Sequence, residues 1–290
     1  MAQAIVPKLI ACRVKKIIIY SRGEFAQVEM ERKLPNPEYP MRYLLGDVRD
    51  RDRLYRAISD VDYIIHTAAI KHVDKAQYNP FETVQTNVIG AQNVIDAAID
   101  RNVMKVLAIS TDKSVDPVNL YGASKLCSDF MFVDANVYSP KGTKFSVIRF
   151  GNFWGSSGSF VELVLKLRRR KEKKIPITHP WMTRFFIQLD DAADFVIKYL
   201  EEMKGGEIIV PKMKAYKIVD LARDLYPEAE HEIVGIREGE KMHEDLIGKD
   251  HRNIESRKDC YIIQPSWVKC EKQKVMFCYS SKEALNENKP

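Results

Sequence analysis

Along the first half of the chain, apolar positions fall into two alternating patterns. Runs dense in Val, Ile and Leu at Val14–Tyr20, Arg42–Leu45, Val61–His66, Met104–Ser110 and Lys144–Phe150 predict strands buried on both faces. Between them, Glu24–Lys33, Asp50–Ile58, Pro80–Arg101 and Leu120–Ala135 carry apolar residues at helical spacing. In the last of these, Leu126, Phe130 and Met131 mark the expected inward face. Met1–Ala11, with Ala4, Ile5, Leu9 and Ile10 apolar, also reads as a helix. Strand and helix alternating in this way predict an α/β fold, a doubly wound parallel sheet.

After Gly151 the rhythm changes. Gly155, Gly158, Pro176, Pro180, Pro211 and Pro227 break the chain into shorter units, which predicts a smaller lobe over 153–290 beside a first domain over 1–152. One helix in that lobe, Leu189–Met203, is long and apolar on one face and is expected to pack back on the sheet. The last twenty or so residues are charged and poorly patterned, the pattern of a loose tail.

The chemistry-bearing stretch is 110–125, Ser-Thr-Asp-Lys-Ser-Val-Asp-Pro-Val-Asn-Leu-Tyr-Gly-Ala-Ser-Lys. Tyr121 and Lys125 stand four apart at the start of a helix, which puts a phenol and an ammonium on one face. A lysine beside a tyrosine favours the phenolate and lowers its pKa toward a usable base. The spacing alone is common by chance. Thr111, Asp112 and Lys113, at the carboxyl end of the preceding strand, give it weight, because open α/β sheets place ligands there.

Composition narrows the reading. The 290 residues suffice for a sizeable core, and 45% hydrophobic with 30% charged is ordinary for a globular protein. No apolar run is long enough for a bilayer, and no signal peptide opens the chain. The formal charge of +6 suits an anionic ligand or simply a solvated basic surface. Arg168–Lys174 is basic, but it follows an amphipathic helix (Phe160, Leu163, Val164, Leu167) and lacks the interleaved aromatics that stack bases. No nucleic-acid role is expected. Five scattered cysteines (Cys12, Cys127, Cys260, Cys270, Cys278) without a Cys-x-x-Cys pair point to a reducing, cytoplasmic setting and no zinc. The six histidines show no ligand spacing, so no metal is expected.

A dinucleotide fold opens with a strand and a Gly-x-x-Gly-x-x-Gly turn that brings pyrophosphate to a helix N-terminus. Here the first glycine is Gly23, and Met1–Ala11 reads as the helix that would follow such a turn. The expectation is a chain truncated at its amino end, with an empty central strand position and a first helix without its partner.

Several long motifs carry a resemblance over about Ala4 to Pro265. They are Val14–Arg22, Gly46–Asp50, His66–Val73, Tyr78–Glu82, Thr86–Asn93, the 110–125 segment, Arg149–Asn152, Met182–Phe185 and Gly235–Glu244. On these the chain resembles the extended short-chain dehydrogenase/reductase family with its NAD(P)-binding Rossmann domain. Within that family it resembles the inverting UDP-N-acetylglucosamine 4,6-dehydratases of the pseudaminic-acid and capsule pathways. The resemblance implies that Tyr121 takes the proton of the sugar 4-hydroxyl, Lys113 removes the carbon-5 proton and Asp112 protonates the departing 6-hydroxyl. Thr111 would bond near the 4-oxygen, and Lys125 would hold the nicotinamide ribose. Relatives that retain configuration carry an Asp-Glu pair at the acid/base position or a methionine in place of Tyr121, so this chain matches the inverting group.

Other positions follow from the same resemblance. Ser21 and Arg22 would meet the 2′-phosphate of NADP, favouring it over NAD. Asp47 and Val48 would flank adenine, and Ala68, Ala69 and Lys71 would approach the cofactor. Asn87 reads as a structural hydrogen-bond hub. For the nucleotide sugar the matched positions are Lys71, Asn152, Arg184, Arg237 and Glu240, the arginines suiting a diphosphate. His243 and Trp181 read as lobe packing. A symmetric homo-oligomer is implied, and no membrane partner. The competing readings are a nucleotide-sugar 4-epimerase or reductase on the same fold, and a catalytically impaired nucleotide-sugar binder.

Overall fold

The protein is described here from a computed structural model, which covers residues 1–33, 40–268 and 277–287. The first half alternates as its pattern predicts: α1 (Ala2–Ala11), β1 (Ile17–Ser21), α2 (Glu24–Lys33), β2 (Met41–Leu45), α3 (Arg51–Ala57), β3 (Tyr63–His66), α4 (Val73–Tyr78), α5 (Pro80–Val84), α6 (Gly90–Asp100), β4 (Lys105–Thr111), α7 (Leu120–Tyr138) and β5 (Lys144–Phe150). Then follow β6 (Asn152–Phe153), α8 (Phe160–Arg169), β7 (Lys174–Ile177), β8 (Thr183–Ile187), α9 (Leu189–Glu202), β9 (Ile208–Pro211), β10 (Lys214–Lys217), α10 (Ile218–Leu225) and β11 (Glu230–Ile233). The chain closes with β12 (Asp245–Ile247), β13 (Ile254–Ser256), β14 (Cys260–Ile263), β15 (Tyr279–Ser280) and α11 (Ser281–Glu287).

The main sheet has the order β13-β14-β9-β5-β4-β3. Strands β3, β4, β5 and β9 run parallel, and β14 and β13 add an antiparallel edge. The expected boundary at 152/153 therefore follows the layers only in part, since β9, β13 and β14 from the second half complete the large sheet. Strands β1 and β2 form a separate parallel pair, not joined to β3. The first helix nevertheless has a partner, contrary to expectation. Ile5 packs in the cluster of Ala192, Val196 and Leu200 from α9, Val6 packs with Ile17 and Met30, and Lys8 pairs with Asp190 and Asp194 at 3.1 and 2.7 Å.

The two faces of the sheet are covered differently. On one, α9 buries Ala192, Ala193, Val196, Tyr199 and Leu200 against Leu107, Ile148, Phe150 and Ile209, as its pattern predicts. On the other, α6 and the second half of α7 pack on Val106, Ala108, Phe145 and Val147. The smaller lobe has its own core of Val161, Val164, Ile175, Ile177, Phe186 and Leu221. Leu163 of α8 points outward there and Val161 inward, a shift from the predicted stripe. Among the described residues no helix is long and apolar enough to cross a membrane.

Three expectations fail locally. The single helix Pro80–Arg101 is interrupted by a π-helical turn at Gln85–Ile89, a wide turn that often re-aims side chains at functional sites. The carboxyl-terminal segment is no loose tail over 277–287: Ser281 is buried and the Tyr279 hydroxyl bonds both backbone groups of Met213. The rest of that stretch, like Cys270, lies outside the described residues. On α7 the inward face is not the apolar one. Phe130 is 57% exposed, while Tyr121, Ser124, Lys125, Ser128, Asp129 and Phe132 are buried.

Candidate active site

Strand β4 is buried along most of its length and delivers Thr111 at its carboxyl end. A single 3₁₀ turn, Asp112–Ser114, follows, with the Thr111 hydroxyl accepting the Lys113 N–H at its start. Helix α7 begins at Leu120, where the Asn119 side chain accepts the Gly122 N–H at 2.8 Å, a standard N-cap. Gly122 sets how closely these two pieces meet. A Cβ there would lie 2.1 Å from the Lys113 carbonyl oxygen, so only glycine lets the first turn of the helix rest on the 112–114 turn. Tyr121 and Lys125 are thereby brought against Thr111, Asp112 and Lys113.

Asp112 is fully buried, at 0% exposure. Its Oδ1 accepts the Lys113 ammonium at 2.9 Å and the Thr111 hydroxyl at 3.0 Å, and its Oδ2 has no hydrogen-bond partner among the described residues. The Lys113 side chain, 22% exposed, also stands 3.5 Å from Glu244 Oε1. Burial pulls the lysine pKa down, but Asp112 and Glu244 outweigh it and hold Lys113 above its ordinary value. Tyr121 behaves otherwise than its spacing suggests. Burial pushes the phenol up to about 12, and the groups that pull it back most are Lys113 and Thr111. Lys125 is itself lowered by burial, with Asp129 opposing. Its ammonium makes no hydrogen bond with any described residue.

Beneath these groups lies a polar foundation that the pattern did not reveal. Asp129 Oδ2 accepts the hydroxyls of Ser110 and Ser114 at 2.8 and 3.0 Å, and pairs with the buried Arg149 at 3.3 Å. Arg149 also donates to the Leu246 carbonyl, and the Thr111 carbonyl, 2.8 Å from the Ser114 hydroxyl, shares that hydroxyl's one proton with Asp129. The 110–114 turn is thus fixed from below by α7 and β5. The available signal was the placement of Ser128 and Asp129 three and four residues beyond Lys125. Asn87 is the hub expected of it: it accepts the Ile70 N–H and donates to the Ile70 carbonyl and the Ser124 hydroxyl, tying the loop after β3 to α7. The π-helical turn puts it there.

The remaining matched positions spread around this centre. Ser21 and exposed Arg22 end β1, and Ser21 is held by Gln27 at 2.9 Å. Asp47 stands 3.7 Å from Arg22 and 2.6 Å from Arg49, and those arginines hold its carboxyl below the usual range against the pull of burial. Val48 packs under Gly90, where a Cβ would meet its methyl at 2.7 Å. Ala68 and Ala69 are half-buried in the loop after β3. Lys71 reaches across to the Ser157 carbonyl at 3.2 Å. Asn152 lies half-buried in β6, and Arg237 is exposed in the loop after β11. Arg184 is a different case. Its guanidinium is buried and committed to the carbonyls of Thr183, Lys241 and Met242, with Glu240 at 3.4 Å. Trp181, expected inside, is 64% exposed with the Lys217 ammonium over its ring. His243 does pack, bonded to Thr183.

The family model for polysaccharide biosynthesis proteins matches residues 1–265. The chain belongs to that family. Its Rossmann sheet and site motifs place it among the extended short-chain dehydrogenase/reductases. A relative from Campylobacter jejuni, named UDP-N-acetylglucosamine 4,6-dehydratase (inverting), is 51% identical over 253 residues, covering 87% of this chain and 75% of its own. One from Rickettsia conorii, named UDP-glucose 4-epimerase, is 38% identical over 82% of this chain and 70% of its own. The crystal structure of Pen from Bacillus thuringiensis superposes with a TM-score of 0.91 at 33% identity, covering 97% of this chain and 88% of that one.

In this polysaccharide biosynthesis protein the chemistry available is proton transfer. A phenol, an ammonium and a fully buried carboxyl share one small space at the carboxyl end of β4. A second buried carboxylate, Glu244, comes from the other lobe, and neither its role nor that of Gly122 was legible from spacing.

Proposed function

We propose that this chain is a UDP-N-acetylglucosamine 4,6-dehydratase of the inverting type, serving the biosynthesis of a surface polysaccharide or flagellin glycan in the cytoplasm. The observation that carries the reading is the Asp112–Lys113 pair, 2.9 Å apart, with Asp112 fully buried and both beside Tyr121. Dehydration across carbons 5 and 6 needs a base and an acid acting together, and this pair supplies both.

Tyr121 first gives up its phenol proton to solvent, a loss that burial opposes and Lys113 and Thr111 favour. As the phenolate it then takes the proton of the 4-hydroxyl, with Thr111 beside it. The resulting ketone acidifies the carbon-5 proton, which moves to Lys113 Nζ. Asp112 gives its proton to the 6-hydroxyl, which leaves as water. The resting cluster holds its proton on Lys113. Transfer of that one proton to Asp112 yields the amine and the carboxylic acid the step requires, with no change in net charge. Reprotonation of carbon 5 from the opposite face gives the inverted 4-keto-6-deoxy sugar.

The cofactor reading is a nicotinamide dinucleotide, NADP rather than NAD. When bound it supplies a hydride acceptor for carbon 4 and returns that hydride to carbon 6. The residues fit its ends. Lys125 is buried and its ammonium meets no acceptor among the described residues, which suits ribose hydroxyls, and Arg22 stands exposed where a 2′-phosphate would be recognised. Ser21, Asp47, Val48, Ala68, Ala69 and Lys71 complete that set. Asn152, Arg237 and Glu240 would serve the nucleotide sugar, and Arg184 would position Glu240 rather than touch the diphosphate.

A 4-epimerase is the second reading, favoured by relatives of that name. Epimerisation asks nothing of an acid and base at carbons 5 and 6, so it leaves Asp112–Lys113 without a task. Incubation with UDP-N-acetylglucosamine and NADP in deuterated water, followed by NMR, separates the two. A 4-keto-6-deoxy product with deuterium at carbon 5 and inverted ring couplings is expected. UDP-N-acetylgalactosamine as product would establish the epimerase.

A further inference from the structure

Glu244 is 2% exposed, lies in the smaller lobe beyond the loop after β11, and reaches the Asp112–Lys113 pair of the larger one. Its Oε1 stands 3.5 Å from Lys113 Nζ and 3.9 Å from Arg184 Nε. Among the described residues its Oε2 makes no hydrogen bond, with Lys241 Nζ 4.0 Å away. A buried carboxylate left half-satisfied is costly and persists where other forces fix it. The backbone provides that fixing. The Glu244 N–H donates to the Ser281 hydroxyl at 2.9 Å, and the Ser281 N–H returns a bond to the Glu244 carbonyl at 2.8 Å. Ser281 is itself fully buried and bonded to Thr183 at 2.8 Å. The carboxyl-terminal helix α11 thus clamps Glu244 from behind.

We propose that Glu244 is a positioning residue for Lys113: together with Asp112 it holds the ammonium at the site, and its charge sets how readily Lys113 gives up its proton. The catalytic use of Lys113 rests on the function proposed above, but the electrostatic hold does not. The charged groups facing Lys113 are Asp112, Glu244 and Arg184, and those facing Glu244 are Lys113, Asp112, Arg184 and Lys241. Tyr121 completes the surroundings of Lys113. Two carboxylates on one ammonium favour its charged form, and an opposite charge at this range shifts a pKa by about 1–3 units. Burial meanwhile raises the pKa of Glu244, while Lys113, Arg184 and Lys241 oppose that rise and favour its carboxylate.

The test reads Lys113 directly and needs no turnover. Trace acetylation with acetic anhydride at pH 9, followed by peptide mass spectrometry, reports the fraction of each lysine present as free amine, and Lys71 serves as exposed control. Glu244→Gln, which keeps the shape and removes the charge, is expected to raise the Lys113 rate at least tenfold with Lys71 unchanged. Glu244→Asp, which withdraws the charge by one methylene, should fall between wild type and Glu244→Gln. A Lys113 rate within twofold of wild type in Glu244→Gln, or an equal rise in both variants, overturns the proposal. If Glu244→Gln does not fold by circular dichroism, Glu244→Asp decides alone, and a rate indistinguishable from wild type overturns it. In the dehydratase assay Glu244→Gln should move the limb of the kcat–pH profile that reports Lys113 to lower pH, with KM within threefold. Wild-type protein that makes no keto sugar would count against the function above and leave the acetylation result to stand by itself.

Discussion

Helices α7 and α9 pack on opposite faces of the same sheet, and they are buried for different reasons. Helix α9 turns Ala192, Ala193, Val196, Tyr199 and Leu200 inward, so its docking is hydrophobic area removed from water. Helix α7 does the same only in its second half, through Phe132, Val133 and Ala135. Its first half buries a phenol, an ammonium, two serine hydroxyls and a carboxylate. Those groups gain nothing from leaving water, and each must be matched or leave a polar atom unsatisfied. One helix holds the sheet together. The other gives up part of that role to hold chemistry in place.

The largest expected effect tests the chemical half of this contrast. Tyr121→Phe removes one oxygen and keeps the ring, so the fold should melt as before. Loss of a positioned acid–base group costs about 10²–10⁴ in rate. We expect kcat for the keto sugar to fall by that range. A variant with undiminished turnover would remove Tyr121 from the reaction.

Next comes the foundation. Asp129→Ala leaves Arg149 buried without its partner, and breaking such a pair costs about 3–5 kcal/mol. Urea unfolding should show that loss, with activity gone because Ser110 and Ser114 lose their common acceptor. Replacing both charges, Asp129→Leu with Arg149→Met, should recover much of the stability, since apolar isosteres of buried pairs are often neutral. It should not recover the rate. On α9, Leu200→Ala should cost about 2–4 kcal/mol through lost packing and leave kcat alone. If the double variant regained full activity, the polar foundation would be no more than packing.

The same contrast explains what the sequence could tell. Strand β5 lies at Lys144–Phe150, as its pattern predicts, and α9 shows its true face. Both are legible because burial and apolarity coincide there. On α7 they part company, and an apolar stripe therefore marks the wrong face. Thr111, Asp112, Lys113 and Tyr121 were still singled out as neighbours, because residue type and placement at a strand end carry meaning independent of hydropathy. Glu244 and Ser281 were not, since their pairing spans 37 positions and nothing local announces it. The π-helical turn was equally hidden, as one extra residue in a helical turn leaves the apolar spacing nearly intact.

A smaller effect comes from His66, which ends β3 against Phe132 at a ring distance of 5.4 Å. Burial, with Lys125 adding, pushes its pKa down to about 3 from 6.5. A depressed folded value means the unfolded chain takes the proton first as pH falls. Stability is therefore full above the unfolded value of 6.5 and is lost progressively toward about 3. Each unit of that interval weighs about 1.4 kcal/mol at most, so about 2–3 kcal/mol is expected to be gone by pH 4.5. His66→Phe, measured by urea unfolding at pH 7 and 4.5, should show a smaller drop than wild type between the two. An identical drop would place the acid sensitivity elsewhere.

The smallest effect is the most direct test of which face of α7 is buried. Phe130 and Phe132 are two apart, so they lie on opposite sides of the helix, and apolar spacing picks Phe130 as the inward one. The structure picks Phe132, fully buried against Phe145 and His66. Phe132→Ala should therefore cost about 3–5 kcal/mol, and Phe130→Ser less than about 0.5 kcal/mol. The reverse ranking would mean that the apolar stripe faces inward after all. Tyr121, Lys125 and Asp129 would then rotate out of the sheet's carboxyl edge together, because one helix cannot turn Phe130 inward and keep them there.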